Sequence, residues 1–219
     1  MRFFGIYTFL TLLLLSNTLM AKESKSLTVQ EKKENFRKLI VPAVNTVYDE
    51  LETQYIEVSH YINNDKYYRD EISDLKKIYK VKTDKALLLA LKPHPKSIAI
   101  AQAAMESAWA TSRFFRKANN VFGIWSFNKN DSRIAAGEKR GSKTIWIKKY
   151  ESVEDSVRDY YKNLGRSPYF KEFRRLRMKT DNPYRLVKKL DRYSELGKAY
   201  GKELTSIIKH NKFYLYDRE

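Results

Sequence analysis

The chain has 219 residues, no cysteine and a formal net charge of +17 at pH 7. The lack of cysteine excludes a disulfide framework and a thiolate metal site, and a chain of this length can bury a stable core without them. The basic residues are spread along the whole chain, which favours an anionic partner or serves solubility alone.

The first 21 residues have the organisation of an export signal. Arg2 gives a positive start, and Phe3 to Leu15 form an apolar run shorter than the roughly 20 residues of a membrane span. We predict a signal peptide over residues 1–21, cleaved after Ala21, with an uncleaved N-terminal anchor as the alternative. Either form places the protein in the periplasm or cell envelope. There, anionic cell-wall polymer or the membrane surface is the expected anionic partner, and nucleic acid is not.

Residues 22–80 are predicted to form an N-terminal helical segment. The pattern Thr28-Val-Gln-Glu31 is a capping box that opens a helix reaching Ile40. Pro42 is expected to break or kink this helix. Apolar residues at helical spacing predict two further helices, one over Val44 to Tyr55 and one over Tyr68 to Tyr79.

Residues 81–219 are predicted to form one mainly helical domain with a small β element. Asp84 to Leu91 give a short apolar helix, and Pro95 can occupy the first turn of the next helix. Helices resume at Ser152 and at Asn182-Pro183, and a last helix carries Tyr200, Leu204 and Ile208.

The stretch from Ile98 to Arg113 places one carboxylate, Glu106, among apolar and small residues. An unpaired buried carboxylate loses several kcal/mol or more of solvation, so it tends to keep its proton with a raised pKa. A carboxyl group that keeps its proton near neutral pH can protonate a leaving group. At helical spacing, Glu106 shares one face with Gln102, Trp109 and Arg113. The alternative is a glutamate on the solvated stripe of an amphipathic helix.

Helical periodicity is lost between residues 119 and 150. Val121–Phe127 is aromatic and β-prone, and Thr144–Lys148 alternates at period two, so we predict a β-hairpin. Residues 128–143 are then a mobile polar loop between its strands.

The three histidines show no ligand spacing such as H-E-x-x-H, so neither a metal nor a cofactor is expected.

Four segments resemble the signature of glucosaminidase domains of glycoside hydrolase family 73. Ala101–Arg113 and Asn119–Gly123 are similar to A-Q-A-x-x-E-S-x-W-x-x-S and N-N-x-F-G. Tyr150–Tyr160 resembles Y-x-S-x-x-x-S-x-x-D-Y, and Arg192–Tyr200 resembles the late Y-(S/A)-x-x-x-x-Y segment. The motifs stand in family order, and the additional N-terminal helical region is similar to that of the Bax-like members.

The resemblance implies a mainly α (α+β), lysozyme-like domain with a small β-hairpin lobe. It also implies an endo-β-N-acetylglucosaminidase that cleaves the β-1,4 bond after N-acetylglucosamine in the glycan strands of peptidoglycan, with Glu106 as the general acid. Ala108 and Ala110 stand where many members have Gly, so a slightly different turn after the catalytic helix is expected. We predict that the protein acts as a monomer.

The second catalytic group is open between three interpretations. Glycoside hydrolysis usually needs a second carboxylate, for which Glu138 is the preferred candidate and Asp131 the other. The alternative interpretation of Glu138 is a solvated loop carboxylate without a catalytic role. Alternatively, the acetamido group of the substrate attacks the anomeric carbon, and no second carboxylate is needed.

Four further residues are assigned to the substrate cleft. Tyr193 is carried over from the family as a residue that orients the acetamido group or the water, and a Tyr packed on the core is its alternative. Phe122 and Trp125 can offer apolar faces to sugar rings or belong to the core. Gln102, one turn before Glu106, completes the set. Asn119 and Asn120 are expected to fix a turn.

Two other functions stay open. A lytic transglycosylase would use a single Glu and let the muramyl 6-hydroxyl replace water, and a non-catalytic envelope scaffold would bind peptidoglycan without cleaving it.

Overall fold

The computed structural model describes residues 27–62, 68–140 and 143–218, and it covers the backbone alone at 138–140 and 143. The predicted signal peptide, residues 1–21, lies outside these residues. The described helices are α1 (Val29–Tyr61), α2 (Arg69–Tyr79), α3 (Asp84–Leu91), α4 (Lys96–Glu106), α5 (Arg113–Ala118), α6 (Val153–Arg166), α7 (Lys171–Arg177), α8 (Pro183–Leu186) and α9 (Lys198–His210). Strands β1 (Arg133–Arg140) and β2 (Lys143–Lys148) form an antiparallel hairpin, and short 3-10 helices lie at Pro168–Phe170, Val187–Lys189 and Phe213–Asp217. The predicted mainly helical fold with a small hairpin lobe is confirmed.

Helix α1 is longer than the sequence pattern indicates. Its capping box is present, since Thr28 and Glu31 each accept a hydrogen bond from the backbone N–H of the other. The predicted break at Pro42 is wrong, because the helix continues through this residue to Tyr61, and the alternative of a kink there stays a prediction. Pro42 lies on the exposed side of α1, where water can satisfy the carbonyl of Lys38 that has lost its amide partner.

Helix α4 lies at the centre of the main hydrophobic core, in contact with α1, α9 and the C-terminal 3-10 helix. Four alanines of α4 have no exposed surface, so the neighbouring helices approach its backbone closely. The surrounding space is filled by large side chains, each worth about 1.5–3 kcal/mol on burial, among them Phe36, Ile40, Val157, Tyr160, Leu204 and Ile208. The N-terminal helix therefore belongs to the same core as the helices that follow residue 81.

The far end of α1 packs in a second cluster with α2 and α3. Its buried members are Val58, Ile72, Leu75, Tyr79, Leu87, Ala90 and Leu91.

The second strand of the hairpin lies where it was predicted, at Thr144–Lys148, and the first strand does not. Strand β1 falls within residues 128–143, which the sequence pattern assigned to a loop, whereas Val121–Phe127 forms only an isolated bridge from Trp125 to Ile147 in β2. A two-stranded hairpin with solvated faces needs no apolar alternation, so charged β1 carries little strand signal.

No helix within the described ranges combines the length and the hydropathy that a membrane span requires.

His94, just before α4, is held in the core as a neutral ring. It is fully buried and stacks on Tyr161 with ring centroids 4.4 Å apart, and its Nδ1–H donates to the carbonyl of Pro95 (3.1 Å). Burial, together with the positive charge of Arg177, lowers the pKa of His94 to about 3.

Protonation of His94 should contribute to acid unfolding. The unfolded histidine has a pKa near 6.5, so as the pH falls below that value the unfolded chain binds a proton that the folded chain excludes. The stability that depends on neutral His94 is fully present above pH 6.5 and is lost progressively towards pH 3. Between pH 7 and pH 4.5, the free energy of unfolding measured in urea should fall less for His94→Phe than for the wild type. The exposed control His210→Gln should follow the wild type, and an equal fall in all three proteins would contradict the assignment.

Candidate active site

Helix α4 ends at Glu106 through a Schellman motif. The N–H of Trp109 donates to the carbonyl of Ala104 (2.8 Å), and the N–H of Ala108 donates to the carbonyl of Met105 (3.3 Å). Ala108 takes the left-handed position of this motif with φ of 50°, where glycine is usual because an L side chain crowds the backbone. Glu106 is thereby fixed as the last residue of a buried helix.

The chain turns away from α4 directly after this motif, since the next two residues also have positive φ (60° and 61°). The prediction that Trp109 and Arg113 share a helical face with Glu106 is therefore wrong. Trp109 packs edge-on against Phe36 of α1, with ring centroids 5.2 Å apart. Arg113 begins α5 and donates to the carbonyl of Ala135 in β1 (2.6 Å), which ties the hairpin to the helical lobe.

Glu106 is half-buried, and no residue in the described part of the chain forms an ion pair with it. Burial raises its pKa, whereas a hydrogen bond from the hydroxyl of Tyr200 to Oε1 (2.9 Å) acts in the opposite direction and only partly offsets the effect. The negative end of the α4 dipole also disfavours a carboxylate at this position. Glu106 can therefore hold its proton at higher pH than an exposed glutamate, as a general acid must.

Gln102 does not face the solvent. It is fully buried, its Oε1 accepts a hydrogen bond from the hydroxyl of Tyr160 (2.6 Å), and its Nε2 donates to the hydroxyl of Tyr200 (2.8 Å). Both ends of its amide are engaged inside the protein, and a contact of Gln102 with substrate stays a prediction. Gln102 links the hydroxyl groups of Tyr160 and Tyr200, and Tyr200 in turn contacts Glu106.

Phe122 and Tyr193 complete an aromatic cluster beside Glu106. Phe122 is buried and stacks on Tyr160 with ring centroids 3.9 Å apart, as its alternative role in the core requires, and its contact with sugar stays a prediction. Tyr193 is half-buried and stacks on Tyr200 with ring centroids 5.5 Å apart. Its hydroxyl donates to the carbonyl of Phe122 (3.4 Å). The structure thus places Tyr193 next to the partner of Glu106, and its role towards substrate stays a prediction.

Trp125 lies on the surface at the base of the hairpin. It is 38% exposed, and the neighbouring Phe127 is 87% exposed, with 6.1 Å between the ring centroids. Phe127 follows Trp125 by two residues in an extended segment, and this spacing places both rings on the same side of the backbone. This spacing was the available sequence signal for Phe127. The role of Trp125 towards substrate stays a prediction, and Phe127 joins it as a candidate.

The two asparagines of the N-N-x-F-G motif fix the base of the hairpin, as expected. The Asn120 amide donates to the carbonyls of Ile124 (2.9 Å) and Lys148 (2.8 Å), and its oxygen accepts the N–H of Ile124. Asn119 donates to the carbonyl of Tyr150 (3.1 Å). Both side chains are occupied with backbone groups.

Asp159 on α6 is a further anchor that the sequence analysis did not single out. It accepts hydrogen bonds from Lys148 of β2 and from the hydroxyl of Tyr150, both at 2.8 Å. Burial works against its charge, but these two donors outweigh burial and lower the pKa of Asp159. Its place in the Y-x-S-x-x-x-S-x-x-D-Y motif was the available signal.

Neither candidate for the second catalytic carboxylate has a described contact with Glu106. Glu138 belongs to β1 within an irregularity of register between Ala135 and Lys139, and its side chain lies outside the described residues. Asp131 accepts a hydrogen bond from the Ser126 hydroxyl (2.8 Å) within the preceding turn. The catalytic role of Glu138 therefore stays a prediction.

Across the described ranges, no group of three or more His, Cys, Asp or Glu side chains could hold a metal ion.

A carboxyl group with a raised pKa, at the end of a buried helix and beside a two-stranded lobe, is the arrangement of lysozyme-like glycan hydrolases. The chain belongs to the glucosaminidase family: the family model described as mannosyl-glycoprotein endo-beta-N-acetylglucosaminidase matches residues 86–213. The chain is 31% identical to Protein bax of Escherichia coli (strain K12) over 158 residues, which cover 66% of this chain and 56% of that relative. It thus spans little more than half of that protein's length. The crystal structure of the catalytic domain of the autolysin Auto (Lmo1076) from Listeria monocytogenes is similar in fold, with a TM-score of 0.51, 21% identity, and coverage of 99% of this chain and 100% of that one.

The strained turn after Glu106 makes a stability prediction. Ala108→Gly should raise the free energy of unfolding by about 1 kcal/mol, because glycine adopts the left-handed conformation without the crowding of Cβ. In a domain of this size, such a gain corresponds to roughly 2–4 °C in melting temperature. Ala86→Gly, inside right-handed α3, is the matched control and should lower the melting temperature. A lower melting temperature for Ala108→Gly as well would show that the turn carries no such strain.

Proposed function

We propose that the protein is a peptidoglycan hydrolase, an endo-β-N-acetylglucosaminidase that cleaves the β-1,4 bond after N-acetylglucosamine. The observation that carries this proposal is Glu106, a half-buried carboxyl group with raised pKa at the end of the central helix. Membership of the glucosaminidase family supports the chemistry, and the resemblance of the four motifs to family 73 supports the substrate.

In the proposed reaction, Glu106 donates its proton to the glycosidic oxygen while the bond to the anomeric carbon breaks. Water adds to that carbon and gives a new reducing end on N-acetylglucosamine. In a two-carboxylate mechanism, Glu138 or Asp131 takes up the proton that this water loses. Alternatively, the acetamido group of the sugar attacks the anomeric carbon before the water does. Tyr193 would orient the acetamido group or the water.

We further propose that the protein is exported and works in the cell envelope as a monomer, with glycan strands of peptidoglycan as its partner. The predicted signal over residues 1–21 and the positive charge support this location. Nucleic acid is not proposed as a partner.

The role of Glu106 predicts that Glu106→Gln folds normally and loses glycan cleavage, because the amide is nearly isosteric but has no acidic proton to donate. Turnover of purified peptidoglycan should fall about a thousandfold, in the middle of the range of acid–base contributions. Glu203→Gln, an exposed change of the same kind on α9, is the control and should keep full activity. Near wild-type activity of Glu106→Gln would overturn the assignment.

The mass of the products in the same digest distinguishes the alternatives. Reducing N-acetylglucosamine ends support the proposed hydrolysis, and 1,6-anhydromuramic ends indicate a lytic transglycosylase. Binding without any product indicates the non-catalytic scaffold.

A basic groove offers a place for the anionic envelope. The groove, of about 750 Å³, is lined by two acidic residues and by five cations, none of which forms an ion pair with a described residue: Lys188, Lys189, Arg192, Lys198 and Lys202. Arg192 and Gly201 in its wall are sequence neighbours of Tyr193 and Tyr200, which stack on each other beside Glu106.

Wall binding through this groove should depend on salt, because the Debye length falls from about 10 Å at 0.1 M to about 3 Å at 1 M. Inactive Glu106→Gln protein should bind insoluble peptidoglycan more weakly at high salt. Changing Lys188, Lys198 and Lys202 to Gln should weaken binding about tenfold at low salt. The control changes Lys38, Lys82 and Lys85 to Gln and removes the same charge from exposed sites elsewhere. Salt-independent binding would show that the charge serves solubility, and equal loss in both triple variants would exclude the groove as a specific site.

A further inference from the structure

We propose that Tyr160, Gln102 and Tyr200 form a directional hydrogen-bond relay that holds one carboxyl oxygen of Glu106 and leaves the other to carry the catalytic proton. The three are positioning residues, and Tyr200 acts on the acid directly. The inference rests on the proposed function in one respect, that Glu106 is the acid.

The direction of the relay follows from the donors and acceptors available. A glutamine amide offers an acceptor oxygen at one end and a donor nitrogen at the other. Because the hydroxyl of Tyr160 donates to Oε1 of Gln102 (2.6 Å), the nitrogen Nε2 faces Tyr200 and donates to its hydroxyl oxygen (2.8 Å). The proton of Tyr200 is then directed to Oε1 of Glu106 (2.9 Å). A flipped amide would instead accept the Tyr200 proton and leave Glu106 without this donor.

Aromatic packing keeps the relay from rearranging. The ring of Tyr160 lies parallel to Phe122, with 8° between the planes, and makes an edge contact with Tyr161 at 5.3 Å. The ring of Tyr200 lies nearly parallel to Tyr193, with 12° between the planes. Both hydroxyl groups are therefore held at fixed points, and only the Gln102 amide could reverse. The hydroxyl of Tyr160 stabilises the observed orientation by donating to Oε1, and the carboxyl oxygen of Glu106 stabilises it by accepting the proton of Tyr200.

The relay can tune the acid without placing a charge beside it. The titratable groups that interact with Glu106 are Tyr200 on α9, Tyr193 in the segment before α9, and Tyr160 on α6. Burial raises the pKa of all three hydroxyl groups, so they stay neutral over the working range of the enzyme. The Tyr200 donor favours the carboxylate and moderates the increase in the pKa of Glu106 that burial causes. The acid can then lose its proton within the same cycle that requires it.

Two adjacent buried tyrosines allow a matched test. Tyr160 belongs to the relay. The hydroxyl of Tyr161 does not, since it donates to the carbonyl of His94 (3.3 Å). Phenylalanine at either position keeps the ring and removes one hydroxyl group. The variants Tyr200→Phe, Tyr160→Phe and Tyr161→Phe are compared, with circular dichroism and melting temperature to verify folding.

The readouts are the pH profile of kcat and the titration of the Glu106 carboxyl carbon by NMR. Tyr200→Phe should move the alkaline limb of the profile and the Glu106 titration to higher pH. It should also lower kcat at the optimum about tenfold with little change in KM, because the acid is held less well. Tyr160→Phe should shift the pH profile and the Glu106 titration in the same direction as Tyr200→Phe but by a smaller amount, since it only frees the Gln102 amide to flip. Tyr161→Phe should leave both unchanged.

The relay is overturned if Tyr200→Phe titrates like the wild type, or if Tyr161→Phe shifts the titration as much as Tyr160→Phe. The second result would mean that general packing, and not the relay, sets the environment of Glu106. The NMR titration needs no substrate. If the wild type cleaves no glycan, the proposed function fails while the titration still supports or overturns the relay.

Discussion

The burial of helix α4 from Lys96 to Ala104 is the constraint on which the site depends. Its alanines let α1, α9 and the C-terminal 3-10 helix approach from different sides, so a polar side chain within α4 must find partners inside the protein. Gln102 meets this demand through two tyrosines, and Glu106 stands where the helix leaves the core. The same burial that stabilises the fold therefore creates an acid with a raised pKa.

The N-terminal helix takes part in this arrangement. Phe36 of α1 contacts Trp109 of the E-S-x-W motif and Phe213 near the C-terminus, so residues far apart in sequence close over the end of α4. Trp109 acts as an apolar anchor for the left-handed turn, since its ring is partly buried against α1 while its N–H completes the Schellman motif. The turn that exposes Glu106 is thus held in part by a helix that precedes residue 81.

Local patterns predicted the helices, their caps and the hairpin, whereas the arrangement of the site depended on contacts that no local pattern contains. The caps at Thr28 and Ser152 are hydrogen bonds over three residues and can be found from the sequence. The end of α4 was missed because Ala108 is a favourable helix residue, and only tertiary packing explains why it adopts a positive φ. Burial of Glu106 was predicted from its apolar neighbours, but the burial of Gln102 depends on Tyr160 and on Tyr200, almost one hundred positions away.

The helical lobe and the hairpin are held by contacts of different character. The helical lobe fixes the acid through packing and neutral hydrogen bonds, whereas the hairpin is attached at its base by polar contacts: the Asn120 amide, the Asp159–Lys148 pair and the bond from Arg113 to the carbonyl of Ala135. These contacts restrain the base of the hairpin. Among the described residues, Glu106 receives its hydrogen bond from Tyr200 on α9, so the acid is held from the helical lobe by a neutral donor, whereas the hairpin is held through charged and amide groups.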